Sequence, residues 1–363
     1  MSEHPLLSST LESRYRGCLL AGACGDALGA PVEFWRRNQI IEHFGEPGIT
    51  KFLKAYGRVG AITDDTQMTL FTAEGLLEVE AQAAVRGFNV HRHVGAETLQ
   101  RWLITQGGRS ELTASAKLVE SALLAEPALH NRRAPGNTCL SALRETTALG
   151  ERAVNNSKGC GGVMRMAPVG LFGACQGLEP RETFALGKEL AWLTHGHPSG
   201  YLTGGVLAVL VQRLVEGGSL EEGLTLSLAL LADENGHPET RDALQQAWHL
   251  AGTATPYPEA IAALGEGWVA EEALAIAVYC ALVADDLRHG IALAVNHDGD
   301  SDSTGAIAGN LLGAKYGEEA IPAQWLADLE LREVIAGMGE ALCRTNGMES
   351  SSPKSAPCAT LSK

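Results

Sequence analysis

The chain has 363 residues, enough for one large domain or two average ones; 45% are apolar and only 5% aromatic, so Ala, Leu and Val must fill the core. With 28 basic against 43 acidic residues the formal charge is −15, and no basic cluster exceeds a pair such as Arg36-Arg37 or Arg132-Arg133. That balance repels nucleic acid and anionic membrane surfaces, so neither is expected as a partner.

Eight cysteines, at 18, 24, 139, 160, 175, 280, 343 and 358, show no C-x-x-C spacing and read as reduced thiols of a cytoplasmic protein. Residues 1–10 lack the basic and apolar regions of a secretory signal, and no run of about 18 apolar residues marks a membrane span. No Pro-rich or Ser/Gly-rich linker interrupts the interior. The expected organisation is an N-terminal segment (1–13), a single domain (14–346) and a Ser/Pro/Ala-biased tail (347–363) without apolar period, expected to be disordered.

Within the domain, Leu70 and Leu77, then Leu202, Val206, Val209 and Leu210, then Leu224, Leu228 and Leu231, and then Leu274, Val278 and Leu282 recur three, four or seven residues apart. This is helical spacing, and alternating strand patterns are rare, so the fold class is all-α and compact. The run Gly305 to Ala314 has glycine or alanine at six of ten positions, and repeated glycine in a helix signals close packing or a nearby ligand.

Taken in chain order, the first chemical signal is Gly25 to Glu33. It places Asp26 and Glu33 among glycines, where an acid is a cap, a solvated side chain or a reactant. Next, Ile62-Thr63-Asp64-Asp65-Thr66 precedes an apolar-periodic run. Thr63 fits a helix cap, and Asp64 and Asp65 fit the first turn, where acids are also favoured by the helix dipole. Gly159, Gly161 and Gly162 form a loop that suits either a tight turn or close backbone approach to an anion.

His195 follows a helical pattern and precedes a Gly/Pro break, a common place for a hydrogen-bonded structural histidine. His197 and His297 show no zinc-ligand spacing. Trp268 suits either the core or a wall of a binding site. Finally, Asp298, Asp300 and Asp302 repel one another unless cations or solvent separate them, and alternation puts Asp300 and Asp302 on one side of an extended loop, with Ser303 and Thr304 at the next helix start. An EF-hand loop fits poorly, because no glutamate stands at the twelfth position. Two distant clusters of carboxylate and hydroxyl oxygens suit Mg²⁺, Mn²⁺ or Ca²⁺ if they meet in space.

These blocks, together with Asn156 to Arg165 and Thr194-His195, occur in the order seen in ADP-ribosylglycohydrolases, and the chain resembles that family over roughly residues 14 to 320. The resemblance implies an orthogonal helical bundle with a centre of two Mg²⁺, Mn²⁺ being possible. The implied metal ligands are Thr63, Asp64 and Asp65 with Asp300, Asp302 and Ser303, Asp302 bridging both ions.

By the same resemblance, Ser157, Lys158, Gly159, Cys160 and Gly161 cradle the diphosphate and ribose, with Asn156 and Arg165 ordering the loop. His195 contacts phosphate or ribose, while Glu33 assists the scissile bond alongside Asp302. The implied partner is an ADP-ribosylated protein or an ADP-ribose-containing small molecule, with arginine-linked conjugates foremost. Cys160 departs from the serine-acting branch, which carries asparagine there. An ADP-ribose-binding or target-blocking protein without essential turnover is the alternative from another class. The oligomeric state is left open.

Overall fold

A computed structural model describes residues 10–86, 90–114 and 121–344. Most of the N-terminal segment and all of the tail from 347 lie outside the described residues.

The helical periodicity is realised as sixteen α-helices among those residues: α1 (Leu11–Gly29), α2 (Arg37–Phe44), α3 (Asp64–Arg86), α4 (Val90–Thr105), α5 (Asn137–Glu145), α6 (Ala167–Gln176), α7 (Pro180–Ala191), α8 (Pro198–Val215), α9 (Leu220–Leu231), α10 (Pro238–Ala251), α11 (Tyr257–Leu264), α12 (Ala270–Val283), α13 (Leu287–Val295), α14 (Ser301–Tyr316), α15 (Ala323–Asp328) and α16 (Arg332–Arg344). Their boundaries follow local chemistry. A proline stands in the opening positions of α6, α7, α8, α10 and α11, where its missing N–H costs nothing. Gly45, Gly177 and Gly317 end α2, α6 and α14 at positive φ.

The described strands are a two-residue pair, β1 (Lys54–Ala55) against β2 (Arg58–Val59), antiparallel, with Tyr56 and Gly57 both at positive φ in the turn. No described helix is long and apolar enough to cross a membrane.

The helices sort by burial. α14 is buried from Ser301 to Ala314, and most of α1, α8 and α12 is buried all round, as expected of helices without a polar face. α10 and α16 lie outside and bury one stripe each, Thr240, Leu244 and Ala247 in one and Ile335, Ala336, Gly339 and Leu342 in the other.

The tightest contact joins α1 to α14. They run antiparallel with small residues facing at four-residue intervals: Gly17 opposite Gly313, Ala21 opposite Gly309, Gly25 opposite Gly305, Gly29 opposite Ser301. A Cβ on Gly25 would stand 1.9 Å from the Gly305 carbonyl oxygen, and one on Gly309 would stand 2.1 Å from the Ala21 oxygen. Backbone therefore touches backbone along the i±4 rows. Asn310 pins the pair by donating from Nδ2 to the Cys18 carbonyl at 2.8 Å.

Even one methyl group has no room at the centre of this seam. Gly309→Ala is expected to destabilise by about 1–3 kcal/mol or more through overpacking. Gly337→Ala on exposed α16, where a Cβ meets nothing within 4 Å, is expected to stabilise by about 0.4–1 kcal/mol. Denaturant unfolding of the two variants checks both, and equal effects would contradict the seam.

Candidate functional site

The seam ends at Gly29 and Ser301, so it delivers the end of α1 and the start of α14 to one place. Asp26, buried in α1, accepts from the Thr63 N–H (3.0 Å to each oxygen), the Thr66 N–H (3.1 Å) and the Thr66 hydroxyl. It is a cap supplied by another helix, and it draws the start of α3 to the same point. Thr63 Oγ1 accepts from the Asp65 N–H at 3.3 Å, which leaves Asp64 and Asp65 in the first turn of α3. Asp300 precedes α14 and Asp302 lies in its first turn, and each accepts from the Ser303 N–H, at 3.4 and 3.0 Å. Carboxylate oxygens of Glu33, Asp300 and Asp302 lie within 4.8 Å of one another.

Two details differ from the sequence expectation. α14 begins at Ser301, so Asp300 and Asp302 converge through a helix start rather than through extended alternation. Asp298 leaves the cluster: it accepts from the Arg37 N–H at 2.6 Å and sits 3.6 Å from the Arg36 guanidinium, half exposed. His297 closes this loop by bonding the Asp298 carbonyl at 2.7 Å and Thr304 Oγ1 at 2.8 Å, a supporting position.

Glu33, Asp64, Asp65, Asp300 and Asp302 are all buried. Among the described residues none of them pairs with a basic side chain, because Arg133 is bound to Glu330, Arg36 to Glu266 and Lys158 to Glu271 and Glu239. Burial, reinforced by Asp300 and Asp64, pushes the Glu33 carboxyl up to about 9. Burial likewise raises Asp64, Asp65 and Asp302 well above the ordinary carboxylate range. It also raises Asp26 to about 6 against the pull of its four hydrogen bonds.

Glu33 Oε2 and Asp65 Oδ1 have no hydrogen-bond partner among the described residues. Orphaned hard oxygens and unneutralised carboxylates are a donor set that fits divalent cations of the Mg²⁺ and Mn²⁺ type.

The glycine loop stands beside this centre. Cys160 Sγ lies 3.5 Å from Ser303 Oγ, which links the two parts. Residues 160–162 form a single 3₁₀ turn packed on His195: a Cβ on Gly161 would lie 3.2 Å from the imidazole, and one on Gly162 would lie 2.2 Å from the Gly200 carbonyl. Glycine is required here by what lies beneath.

His195 is buried, and its Nδ1 lies 2.9 Å from Thr194 Oγ1. Burial and Arg165 lower it to about 3, so it is neutral. Arg165, fully buried, donates to the carbonyls of Gly161 (3.2 Å) and Leu190 (3.0 Å) and to Thr194 Oγ1, with no carboxylate partner. It orders the loop, whereas the neighbouring residue that does so is Asn155 rather than Asn156: Asn155 Oδ1 accepts from Ser157 (3.1 Å) and Gly196 (2.9 Å). Ser157 Oγ bonds Thr138 at 2.8 Å. The Lys158 ammonium is held by Glu239 and Glu271, so its backbone is the part nearest the loop's role.

Three features were not read from the sequence. The buried pair Arg133–Glu330 grips the residue just before Thr63: Arg133 donates to the Ile62 carbonyl at 2.7 Å and Glu330 accepts from its N–H at 3.2 Å. Tyr56, at φ 48° in the hairpin turn and near the Arg133 guanidinium, has its hydroxyl raised by burial and then by Glu33 and Asp302. The Tyr56-Gly57 pair was the available signal. Phe34 stacks on Trp268 at the surface; the sequence offered Trp268 as core or wall but gave no sign of Phe34 as its partner.

Whole-chain comparisons point to one family. A family model described as ADP-ribosylglycohydrolase matches residues 7–351. The ADP-ribosyl-[dinitrogen reductase] glycohydrolase of Rhodospirillum rubrum is 28% identical, over 89% of this chain and 92% of that protein. The ADP-ribosylarginine hydrolase Tri1 of Serratia proteamaculans is 24% identical, over 90% and 78%. A solved structure titled ADP-ribosylglycohydrolase-related protein complex superposes with a TM-score of 0.65 at 28% identity, covering 92% of this chain and 98% of that one.

The carboxylate centre has a pH signature. Glu33 rises from 4.5 to about 9 and Asp26 from 3.8 to about 6, so within those windows the folded state holds protons that the unfolded chain has released. Stability of the cation-free protein is therefore expected to fall as pH rises from about 4.5 to about 9. Added Mg²⁺, which binds the ionised form, should raise the melting temperature most at the alkaline end. A melting profile that is the same with Mg²⁺ and with chelator contradicts the assignment.

Proposed function

Because the chain belongs to the ADP-ribosylglycohydrolase family, we propose that it is a metal-dependent hydrolase that removes ADP-ribose from modified protein side chains, arginine-linked conjugates first. The observation that carries this reading is the buried carboxylate cluster, without basic partners, beside a glycine loop. The arginine preference draws on the relative named ADP-ribosylarginine hydrolase and on Cys160. A cytoplasmic setting fits the free thiols of all seven described cysteines.

Thr63, Asp64 and Asp65 on one side and Asp300, Asp302 and Ser303 on the other would hold two Mg²⁺, or Mn²⁺, with Asp302 shared. Bound there, the cations would supply charge to orient ribose hydroxyls and acidify a water. Glu33, at the edge of the cluster with one oxygen free of hydrogen bonds, takes the proton of the attacking water. Added positive charge nearby would favour its ionised form, the form a general base needs.

The loop meets the diphosphate through backbone N–H groups other than those of Ser157, Gly159 and Cys160, which already donate within the protein, glycine allowing the close approach. Neutral His195 supports this loop and serves phosphate or ribose as a hydrogen-bond partner. Buried carboxylates facing the sugar stabilise positive charge as the anomeric carbon becomes oxocarbenium-like.

Incubating the protein with arginine- and serine-linked ADP-ribosyl peptides, with Mg²⁺ or with chelator, tests the proposal by mass analysis of products. Free ADP-ribose is expected from the arginine-linked peptide, with loss of release in chelator and a fall of at least about a hundredfold in Asp302→Ala. Release that persists unchanged in chelator overturns the metal route.

A further inference from the structure

The turn from Gly265 to Val269 stands between the two halves of the site. The Asp300 N–H donates to the Glu266 carbonyl at 2.8 Å, and the Cys160 N–H donates to the Trp268 carbonyl at 3.3 Å. Glu272 accepts from the N–H groups of Glu266 and Gly267, at 3.0 and 3.1 Å. The turn is thus a bracket tied to the carboxylate loop on one side and the glycine loop on the other.

What this bracket presents to solvent is aromatic. Trp268, 39% exposed, stacks on Phe34, 71% exposed, with centroids 5.8 Å apart and planes 16° from parallel. Phe34 directly follows Glu33, so the pair sits at the rim of the centre. In a chain so poor in aromatic residues, two stacked rings left in water beside a reactive cluster call for a ligand.

The charge around the rings identifies it. Glu266 Oε2 accepts from Trp268 Nε1 at 3.2 Å, and Glu266 and Asp298 are each nearly half exposed. One guanidinium already occupies these carboxylates, that of Arg36, bonded to Glu266 and 3.6 Å from Asp298. Exposed ion pairs of this kind are weak and screened by solvent, so Arg36 is readily displaced.

We propose that Phe34, Trp268 and Glu266 form the subsite for the guanidinium of the target arginine, and that Arg36 keeps its place until substrate arrives. The proposal rests on the function proposed above. Rings 5.8 Å apart leave no gap for a third plane. The guanidinium lies on an outer ring face, where a cation–π contact contributes about 0.5–1 kcal/mol. Glu266 accepts its N–H groups in the guanidinium plane. An adenine ring would stack equally well but would gain nothing from the two carboxylates.

The test combines two readouts in the Mg²⁺-loaded protein. Calorimetry gives the Kd of arginine amide and, separately, of free ADP-ribose, and turnover gives KM for an arginine-linked ADP-ribosyl peptide. In Trp268→Leu and Phe34→Ala, arginine amide should bind about two- to fivefold more weakly and KM should rise alike, with ADP-ribose affinity unchanged. Arg36→Ala should tighten arginine amide. A parallel loss of ADP-ribose affinity would assign the rings to the adenosine end and overturn the proposal, as would arginine amide binding that ignores all three substitutions. If arginine amide responds as expected but wild type releases no ADP-ribose from any linkage, the hydrolase reading fails and the guanidinium subsite stands.

Discussion

Backbone contact between α1 and α14 is the constraint on which the rest of this molecule depends. Glycine, alanine and serine at four-residue intervals on both helices remove the side chains that normally hold helices about 8–10 Å apart. The register of that contact puts Asp26 and Glu33 at one end of α1 against Asp300 and Asp302 at the start of α14. Asp26 then captures the N-terminal turn of α3 through four hydrogen bonds. A larger residue in the seam would separate these ends, and displacements of about 1 Å are enough to disable a reactive centre.

The same convergence creates an electrostatic conflict. Five buried carboxylates gather without a basic partner among the described residues, and burial raises the proton affinity of Glu33, Asp64, Asp65 and Asp302. The positive ends of α3 and α14 ease the strain only in part. Surrounding groups spend their charges elsewhere, most plainly in the Arg133–Glu330 pair that clamps both polar atoms of the Ile62 backbone. Protons or added cations would each relieve this cluster, and its hard oxygens are donors of the kind that divalent cations take.

Beside the carboxylates, the loop from Ser157 to Gly162 is shaped from below by a neutral imidazole and a buried guanidinium whose described partners are carbonyls and a hydroxyl. Lys158 is diverted into ion pairs, which leaves backbone rather than side-chain charge to face an anion. The bracket carrying Trp268 joins this loop to the carboxylate loop through one backbone hydrogen bond on each side.

Helical periodicity and the runs of small residues were legible in the sequence because they are local: the side-chain period of a helix and the missing Cβ of glycine do not depend on distant partners. Thr63 and the acids behind it could be recognised as a helix start for the same reason. The company these residues keep was not legible. Asp26 is a cap and Asp298 faces solvent, although both stand in acid-and-glycine contexts like those of their clustered neighbours. Arg133 and Glu330, 197 positions apart, meet only when the segment between α15 and α16 comes against the loop before α5. Phe34 and Trp268 become a surface feature only when two loops close side by side. Local spacing determines which helix a residue joins and which way it turns, whereas burial and charge environment belong to contacts that only the closed chain can make.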